Sequence, residues 1–329
     1  MLDSICSHMP RQCVPNSAFE TLWDDWTAEK IFEKTGIRSR YIASADECAS
    51  DLAAGAAEKL LKGRERSTVD FLLNCTESPD YVLPPTACIL QERLGLSTSC
   101  GAFDINLACS AYIYGLATAH GYLESGIAEE VLLLTGDTYS KYIHPEDRST
   151  RTIFGDAGTA TLLTKASPHK FHSFVLHTDG RGAESLILKN GACRNPRLVA
   201  PDTSIDENGK CSPDYLYMNG PDVFNFTLNV VPGLVRDICE KAECTLDAVD
   251  HVVFHQANVF MLEHLRKKLK IPEEKFVYHI EDWGNTVSST IPLALEACMA
   301  AGRFKPGDKI LLAGFGVGLS WAGCMIDWN

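Results

Sequence analysis

The chain of 329 residues has no C-x-x-C pair, although it holds 13 cysteines, an odd number scattered singly along its length. That distribution excludes a disulfide framework and a zinc site, so most of these thiols are expected to be reduced, buried, small hydrophobes. No run of about 18 apolar residues occurs, which argues against a membrane-spanning helix. Met1 to Pro15 carries Asp3 and polar residues where a secretory leader has a basic stretch and an apolar block. The reading is a soluble, cytoplasmic protein with no membrane partner. Basic charge is also scarce: 30 Lys and Arg face 43 Asp and Glu, a formal charge of −13. This excludes general binding to nucleic acid or anionic lipid, and any anionic ligand must meet a local basic patch. No Ser/Gly linker, low-complexity tract or block of like charge divides the chain, so boundaries must come from pattern.

What is present is an ordinary globular composition, 45% hydrophobic and 22% charged, in a chain long enough for one large two-part domain or two domains. Its pattern offers a duplication. Val69-Asp70 leads into the apolar run Phe71 to Leu73 and then polar Asn74, while Val249-Asp250-His251 leads into Val252 to Phe254 and then His255. Glu129-Glu130 precedes Val131 to Leu134, and Asp308-Lys309 precedes Ile310 to Ala313. The offset stays near 180 residues. Between these runs each half offers a further strand, Ala102 to Ala108 and Lys275 to Glu281, followed by helical stretches starting near Cys109 and near Asn285. Strand, helix, strand, helix, strand, twice over, predicts an α/β protein of two packed halves, residues 1–166 and 167–329, with largely parallel sheets covered by helices. Pro196 to Asp214, rich in Pro, Asp, Asn and Lys, reads as a surface loop over a site.

Three positions can carry chemistry. Phe103, Ile105 and Leu107 alternate with Asp104, Asn106 and Ala108, a strand running into Cys109. Ile113, Leu116, Ala117 and His120 then recur at helical spacing, with Gly126 as the stop. Cys109 therefore lies at a strand-to-helix turn, where unpaired N–H groups and the helix dipole favour a thiolate. It reads equally as one more buried cysteine. His255 follows a buried strand and either faces a cleft or is a solvated or hydrogen-bonded histidine among ten. Asn285, in Trp283-Gly284-Asn285-Thr286, is a helix cap or a functional amide. The duplication puts Cys109 and Asn285 at equivalent strand ends, with His255 on the neighbouring strand, so the three converge at a cleft between the halves. Gly314-Phe315-Gly316-Val317-Gly318 lets backbone N–H groups approach a reacting carbonyl. It fails as a dinucleotide fingerprint because no helix follows. Phe154 to Gly158, the corresponding loop of the first half, reads as structural.

These residues carry a resemblance. Lys34 to Ala43, Gly101 to Ile105 with Cys109, Asp147-Arg148 with Ile153 to Asp156, His255 to Asn258, Gly284 to Thr286 and Lys305 to Gly307 are similar, in family order along nearly the whole chain, to the β-ketoacyl-acyl-carrier-protein synthase III family of thiolase-fold condensing enzymes. The resemblance implies a thiolase-like fold, two pseudo-duplicated βαβαβ halves forming a five-layer α-β-α-β-α sandwich. It implies that Cys109 takes an acyl group from an acyl-CoA or acyl carrier protein donor and that malonyl-acyl carrier protein then decarboxylates to an enolate. His255 and Asn285 would donate to the enolate oxygen, and the backbone N–H groups of Cys109 and Val317 would hold the tetrahedral oxyanion. No metal or cofactor is needed, because the thioester is itself the electron sink. Acyl transfer onto an oxygen, nitrogen or small-molecule nucleophile remains a rival within the same fold, and a thioester hydrolase or a non-catalytic carrier-protein-binding subunit stands outside it.

The departures point to the donor. Ungapped alignment puts Lys30 where the family has a tryptophan that stacks on adenine, with Trp26 four residues earlier. Lys34 stands for an arginine, Pro221 for an asparagine and Val317 for a glycine, while Arg148 matches the arginine of the other adenine face and Asn258 a pantetheine contact. With Arg151 in place of an aliphatic residue, the expectation is weaker coenzyme A binding and a non-acetyl donor. Phe224 and Phe315 join the substrate-binding candidates. Leu83, by the resemblance, closes the acyl pocket of a partner subunit in a homodimer. Arg266, Lys267, Lys268 and Lys270 form a positive helix face, either merely solvated or suited to an acidic carrier protein.

Overall fold

The computed structural model describes residues 1–23, 25–196, 200–206 and 210–329. Two sheets organise it. The first runs in the order β1 (Leu2–His8), β7 (Ala157–Thr164), β6 (Glu130–Asp137), β4 (Phe71–Cys75), β5 (Gly101–Ile105). The second runs β8 (Lys170–Thr178), β13 (Ser320–Trp328), β12 (Asp308–Gly316), β11 (His251–Phe254). Two smaller ladders complete the strands, β2 (Gln12–Pro15) with β3 (Ser39–Ile42) and β9 (Leu186–Ile187) with β10 (Tyr217–Met218).

The duplication holds strand by strand. In the first sheet β1, β7 and β6 pair antiparallel, then β6, β4 and β5 parallel; in the second β8, β13 and β12 pair antiparallel and β12 with β11 parallel. The sheets are thus mixed where largely parallel ones were expected. One reason is local: β12 reaches β13 through only Val317–Leu319, and so short a turn can return the chain only antiparallel.

Another difference lies at the edge. The expected strand Lys275 to Glu281 is reduced to a single parallel bridge, Val252 with Phe276. Buried Gln256 does the work of the missing ladder: its Nε2 donates to the Val277 carbonyl at 3.2 Å and to the Phe254 carbonyl at 2.6 Å, and its Oε1 accepts from the His279 N–H at 2.8 Å. A side chain that pairs these groups removes the need for a second strand.

Helices α1 (Ala28–Thr35), α2 (Ala49–Leu60), α3 (Thr86–Arg93), α4 (Ala111–Ser125), α5 (Arg148–Arg151), α6 (Gly220–Lys241), α7 (Val259–Leu269) and α8 (Thr290–Ala300) supply the remaining layers. One apolar cluster joins α2 and α3 to the outer face of the first sheet. A second, with Leu73, Leu116, Leu133, Val253, Leu295 and Leu312, packs α4 and α8 between the two sheets. A third joins α6 and α7 to the outer face of the second sheet. The order helix, sheet, helix, sheet, helix is the five-layer sandwich. Both strands β6 and β7 are buried almost throughout, which is why they read as continuous apolar runs. Contact with α2 is so close that a Cβ on Gly158 would lie 2.2 Å from the Leu52 carbonyl carbon.

The chain leaves the first sheet at Thr164 and enters the second at Lys170. Among the described residues no helix is long and apolar enough to cross a membrane. Of the segment Pro196 to Asp214, residues 197–199 and 207–209 lie outside the described residues; the rest folds back on itself through a bridge between Ile205 and Cys211.

Candidate active site

The central layer places the three candidate residues. Cys109 lies in the turn between β5 and α4, whose N-cap Ser110 is tied to β13 by a 2.6 Å contact between the Ser110 and Ser320 hydroxyls. Helix α4 ends at Gly126 in the left-handed conformation, the stop read from the sequence. His255 extends β11 by one residue, its N–H donating to the Ala313 carbonyl at 2.8 Å. Asn285 is held from the other half: its N–H donates to the Ile153 carbonyl at 2.9 Å and its carbonyl accepts from the Gly155 N–H at 3.0 Å. Gly284 allows this crossing, because its φ is +68° and a Cβ there would meet the Ile153 carbonyl oxygen at 2.8 Å.

All three side chains are buried and line one cavity of about 450 Å³. Its walls are apolar, with Ile153, Phe154, Leu186 and Met218 facing Val223 and Phe224. Phe224, Phe315 and Asn258 line it as well. Phe315 meets the His255 ring edge to face with centroids 5.8 Å apart. Asn258 also caps α7, accepting from the Met261 N–H at 2.8 Å, so it serves the helix whatever else it contacts. Asn285 does not cap a helix: its Oδ1 accepts from the Val287 N–H at 3.0 Å, which leaves the amide NH₂ to the cavity. Helix α8 starts only at Thr290, after Val287 at φ +56°, a strained setting for a β-branched residue.

The glycine-rich loop brings backbone to the sulfur. A Cβ on Gly316 would lie 2.8 Å from the Cys109 Sγ. Burial pushes the Cys109 thiol well up and the carboxyl groups of Glu77 and Asp137 push the same way, while the nearby backbone N–H groups of Val317 and of Cys109 itself draw it down by less. Burial outweighs the dipole argument made from the strand-to-helix turn, and the resting group is a thiol. Burial likewise lowers His255 to about 3, so the imidazole is neutral, and Nδ1 lies 2.7 Å from the Thr290 hydroxyl.

Sequence reasoning missed the polar network behind Cys109. Tyr139, packed in the same apolar cluster as Cys109, donates its hydroxyl to Glu77 at 2.5 Å. Burial raises Glu77, and burial raises Asp137 to about 7 against the donors that hold it. Asp137 accepts from the Glu77 N–H at 2.9 Å and from the Ser288 hydroxyl at 2.5 Å, which joins the end of β6 to the Asn285 loop. A lone carboxylate after an apolar run reads in sequence as a strand end reaching water, so nothing local marks these two.

The donor and partner candidates lie elsewhere. Arg148 and Arg151 border a separate cavity of about 740 Å³ with Trp23 and Leu22. Arg148 is engaged there, donating to Asp25 at 2.8 Å with its guanidinium 5.6 Å from the Trp23 ring, while Arg151 lies 5.6 Å from Phe19 and donates to the Pro145 carbonyl. Lys30 donates to the Asp25 carbonyl at 2.9 Å, and Lys34 covers Trp26 at 4.8 Å. Leu83 is 78% exposed beside Tyr81 and Val82, also exposed. On α7 the basic face divides. Arg266 turns inward to Glu263 at 2.9 Å, Tyr278 at 3.0 Å and the Ile271 carbonyl at 3.2 Å, whereas Lys267, Lys268 and Lys270 are exposed. Among the described residues no group of three or more His, Cys, Asp or Glu could hold a metal ion.

Comparison with known proteins bears on this geometry. The family model for 3-oxoacyl-[acyl-carrier-protein] synthase III matches residues 103–180, and the model for its C-terminal part matches residues 239–328. The β-ketoacyl-[acyl-carrier-protein] synthase III of Thermosynechococcus vestitus is 35% identical over 322 residues, 97% of this chain and 95% of its own. Synthase III 3 of Streptomyces coelicolor is 35% identical over 333 residues, 100% of this chain and 97% of its own. A crystal structure of a 3-oxoacyl-(acyl-carrier-protein) synthase III superposes with a TM-score of 0.95 at 48% identity, covering 99% of each chain.

Proposed function

The chain belongs to the β-ketoacyl-[acyl-carrier-protein] synthase III family of condensing acyltransferases, and from that premise we propose that Cys109, His255 and Asn285 carry its reaction. The observation behind this reading is the convergence of the three buried side chains on one apolar cavity, with two backbone N–H groups at the thiol. Cys109 attacks the thioester carbonyl of the donor, its proton leaves with the departing thiol, and an acyl-Cys109 thioester forms. The acyl chain lies among Ile153, Phe154, Leu186 and Met218. Malonyl on acyl carrier protein then loses carbon dioxide, and the enolate oxygen is held by Nε2–H of neutral His255 and the NH₂ of Asn285. The carbanion attacks the acyl carbonyl, whose oxyanion meets the N–H groups of Cys109 and Val317; collapse breaks the C–S bond to Cys109, releases a β-ketoacyl thioester two carbons longer and leaves a thiolate that takes one proton from water to return to the thiol.

The donor is a non-acetyl acyl group, delivered at least as well on carrier protein as on coenzyme A. Supporting this, Arg148 must give up Asp25 before it can stack on a base, and Lys30 offers no aromatic face. Asn258 and Phe224 contact the pantetheine arm, Phe315 holds the His255 ring, and Arg151 anchors a donor anion. Lys267, Lys268 and Lys270 meet the acidic carrier, while Arg266 fixes their helix. A second copy of the chain covers Tyr81 to Leu83, in a homodimer of cytoplasmic location. Intact-mass measurement of the adduct after exposure to acetyl-CoA, longer acyl-CoA and matching carrier thioesters tests the whole reading. Acyl mass on a residue other than Cys109 overturns the assignment, and acetyl-CoA as the fastest donor overturns the choice of donor.

A further inference from the structure

Neutral His255 has one ring proton, and only the tautomer with that proton on Nε2 can donate to an enolate in the cavity. Which tautomer forms depends on the group facing Nδ1. That group is the hydroxyl of Thr290, 2.7 Å away, a buried residue at the first position of α8. Its single proton has two acceptors in reach, Nδ1 at 2.7 Å and the Val287 carbonyl at 3.2 Å. Donation to the carbonyl would leave the hydroxyl as acceptor and force the proton onto Nδ1, turning a lone pair toward the cavity. At 2.7 Å the contact is shorter than the usual distance of about 2.9–3.0 Å for an N–H donor and matches a hydroxyl donor, while 3.2 Å to the carbonyl is long for one, which favours the opposite polarity.

We infer that Thr290 is a positioning residue which donates to Nδ1 of His255 and so keeps the proton on Nε2, toward the reacting oxygen. This rests on the proposed role of His255 in decarboxylation and names the group that makes that role available. Thr290 does not line the cavity: it lies behind the imidazole and opens the helix that follows the Asn285 loop. The two side-chain donors thus share one short support, Asn285 through the Val287 N–H and His255 through Thr290. Orienting groups of this kind act through the imidazole they hold.

The test separates the half-reactions. Thr290→Val keeps the shape and removes the hydroxyl; it should acylate Cys109 at the normal rate and decarboxylate malonyl thioester about 10²-fold more slowly, the usual effect of losing one such donor. Thr290→Ser should restore most of the rate. A Thr290→Val enzyme that decarboxylates normally, or that loses acylation equally, overturns the inference, as does a Thr290→Ser enzyme as slow as the valine variant. Should the valine variant not fold, nitrogen-15 NMR of histidine-labelled wild-type protein, assigned against His255→Gln, decides the matter: Nε2 protonated supports it, Nδ1 protonated overturns it. Failure of the underlying reading is distinct, since wild-type protein would then release no carbon dioxide from malonyl thioester while the NMR result still stands.

Discussion

The two halves share strand order and pairing directions, and they part company at the fifth position of each sheet. In the first half β5 forms a full parallel ladder with β4 and delivers the chain into the turn at Cys109. In the second half the equivalent segment makes one bridge, and Gln256 pairs what the ladder would have paired. The difference teaches how one duplicated framework serves two tasks. On the proposed roles, a nucleophile needs a rigid, buried turn with N–H groups at its sulfur, and the donors need their loop free to cross to the other half, where Asn285 pairs with the chain on both sides of Phe154.

If the first half supplies the nucleophile, Cys109→Ser should abolish both acyl adduct and condensation while leaving the thermal unfolding curve in place; adduct mass on the serine variant would break the division of labour. If the second half supplies only donors, His255→Ala and Asn285→Ala should still form the adduct but decarboxylate malonyl thioester about 10² to 10³ times more slowly. Carbon dioxide release measured on each variant checks it, and a wild-type rate in either removes that residue from the site.

The edge of the second sheet can be broken by itself. Gln256→Leu strands the Val277 carbonyl and the His279 N–H in the interior and should cost about 3 kcal/mol of stability, read by denaturant unfolding. A loss below about 1 kcal/mol would mean that water pairs those groups and that the side chain is no substitute for a strand.

The smallest effects concern charge. Because His255 is held near 3, its imidazole stays neutral at any ordinary pH; it should therefore add no limb near the usual histidine value of about 6.5 to decarboxylation by acyl enzyme, and a limb near 7 that persists in Asp137→Asn would contradict this. A thiol pushed up by burial and carboxylates gains thiolate only as pH rises, so alkylation of Cys109 should climb through about pH 9 without a plateau. Glu77→Gln removes one of those carboxylates and should speed alkylation roughly threefold at constant pH. No change would show that Tyr139 already screens Glu77 from the sulfur.

Much of this was legible beforehand, for definite reasons. Buried strands such as Val131 to Leu134 and Ile310 to Ala313 are continuous apolar runs because both faces are covered, and Gly126 stops α4 because an αL position favours glycine. The strand at Lys275 to Glu281 was inferred from its place in the duplication and its apolar residues, and these report burial rather than pairing: an extended segment tied by one side chain buries Phe276, Val277 and Ile280 without a ladder. Glu77 and Asp137 were missed for a related reason: a carboxylate reveals burial only through neighbours that are distant in sequence.

By itself, the sequence determined the duplicated α/β plan and, through the order of its family motifs, marked Cys109, His255 and Asn285 as the candidates, since periodicity and motif order are read along the chain. Only the tertiary structure decided their condition: that Cys109 rests as a thiol, that His255 is neutral, that Arg266 is spent on Glu263 while its neighbours reach solvent, and that Thr290 stands behind the imidazole. Burial and hydrogen bonding set protonation and direction, and both are made by residues far apart in the chain that folding brings within 3 or 4 Å.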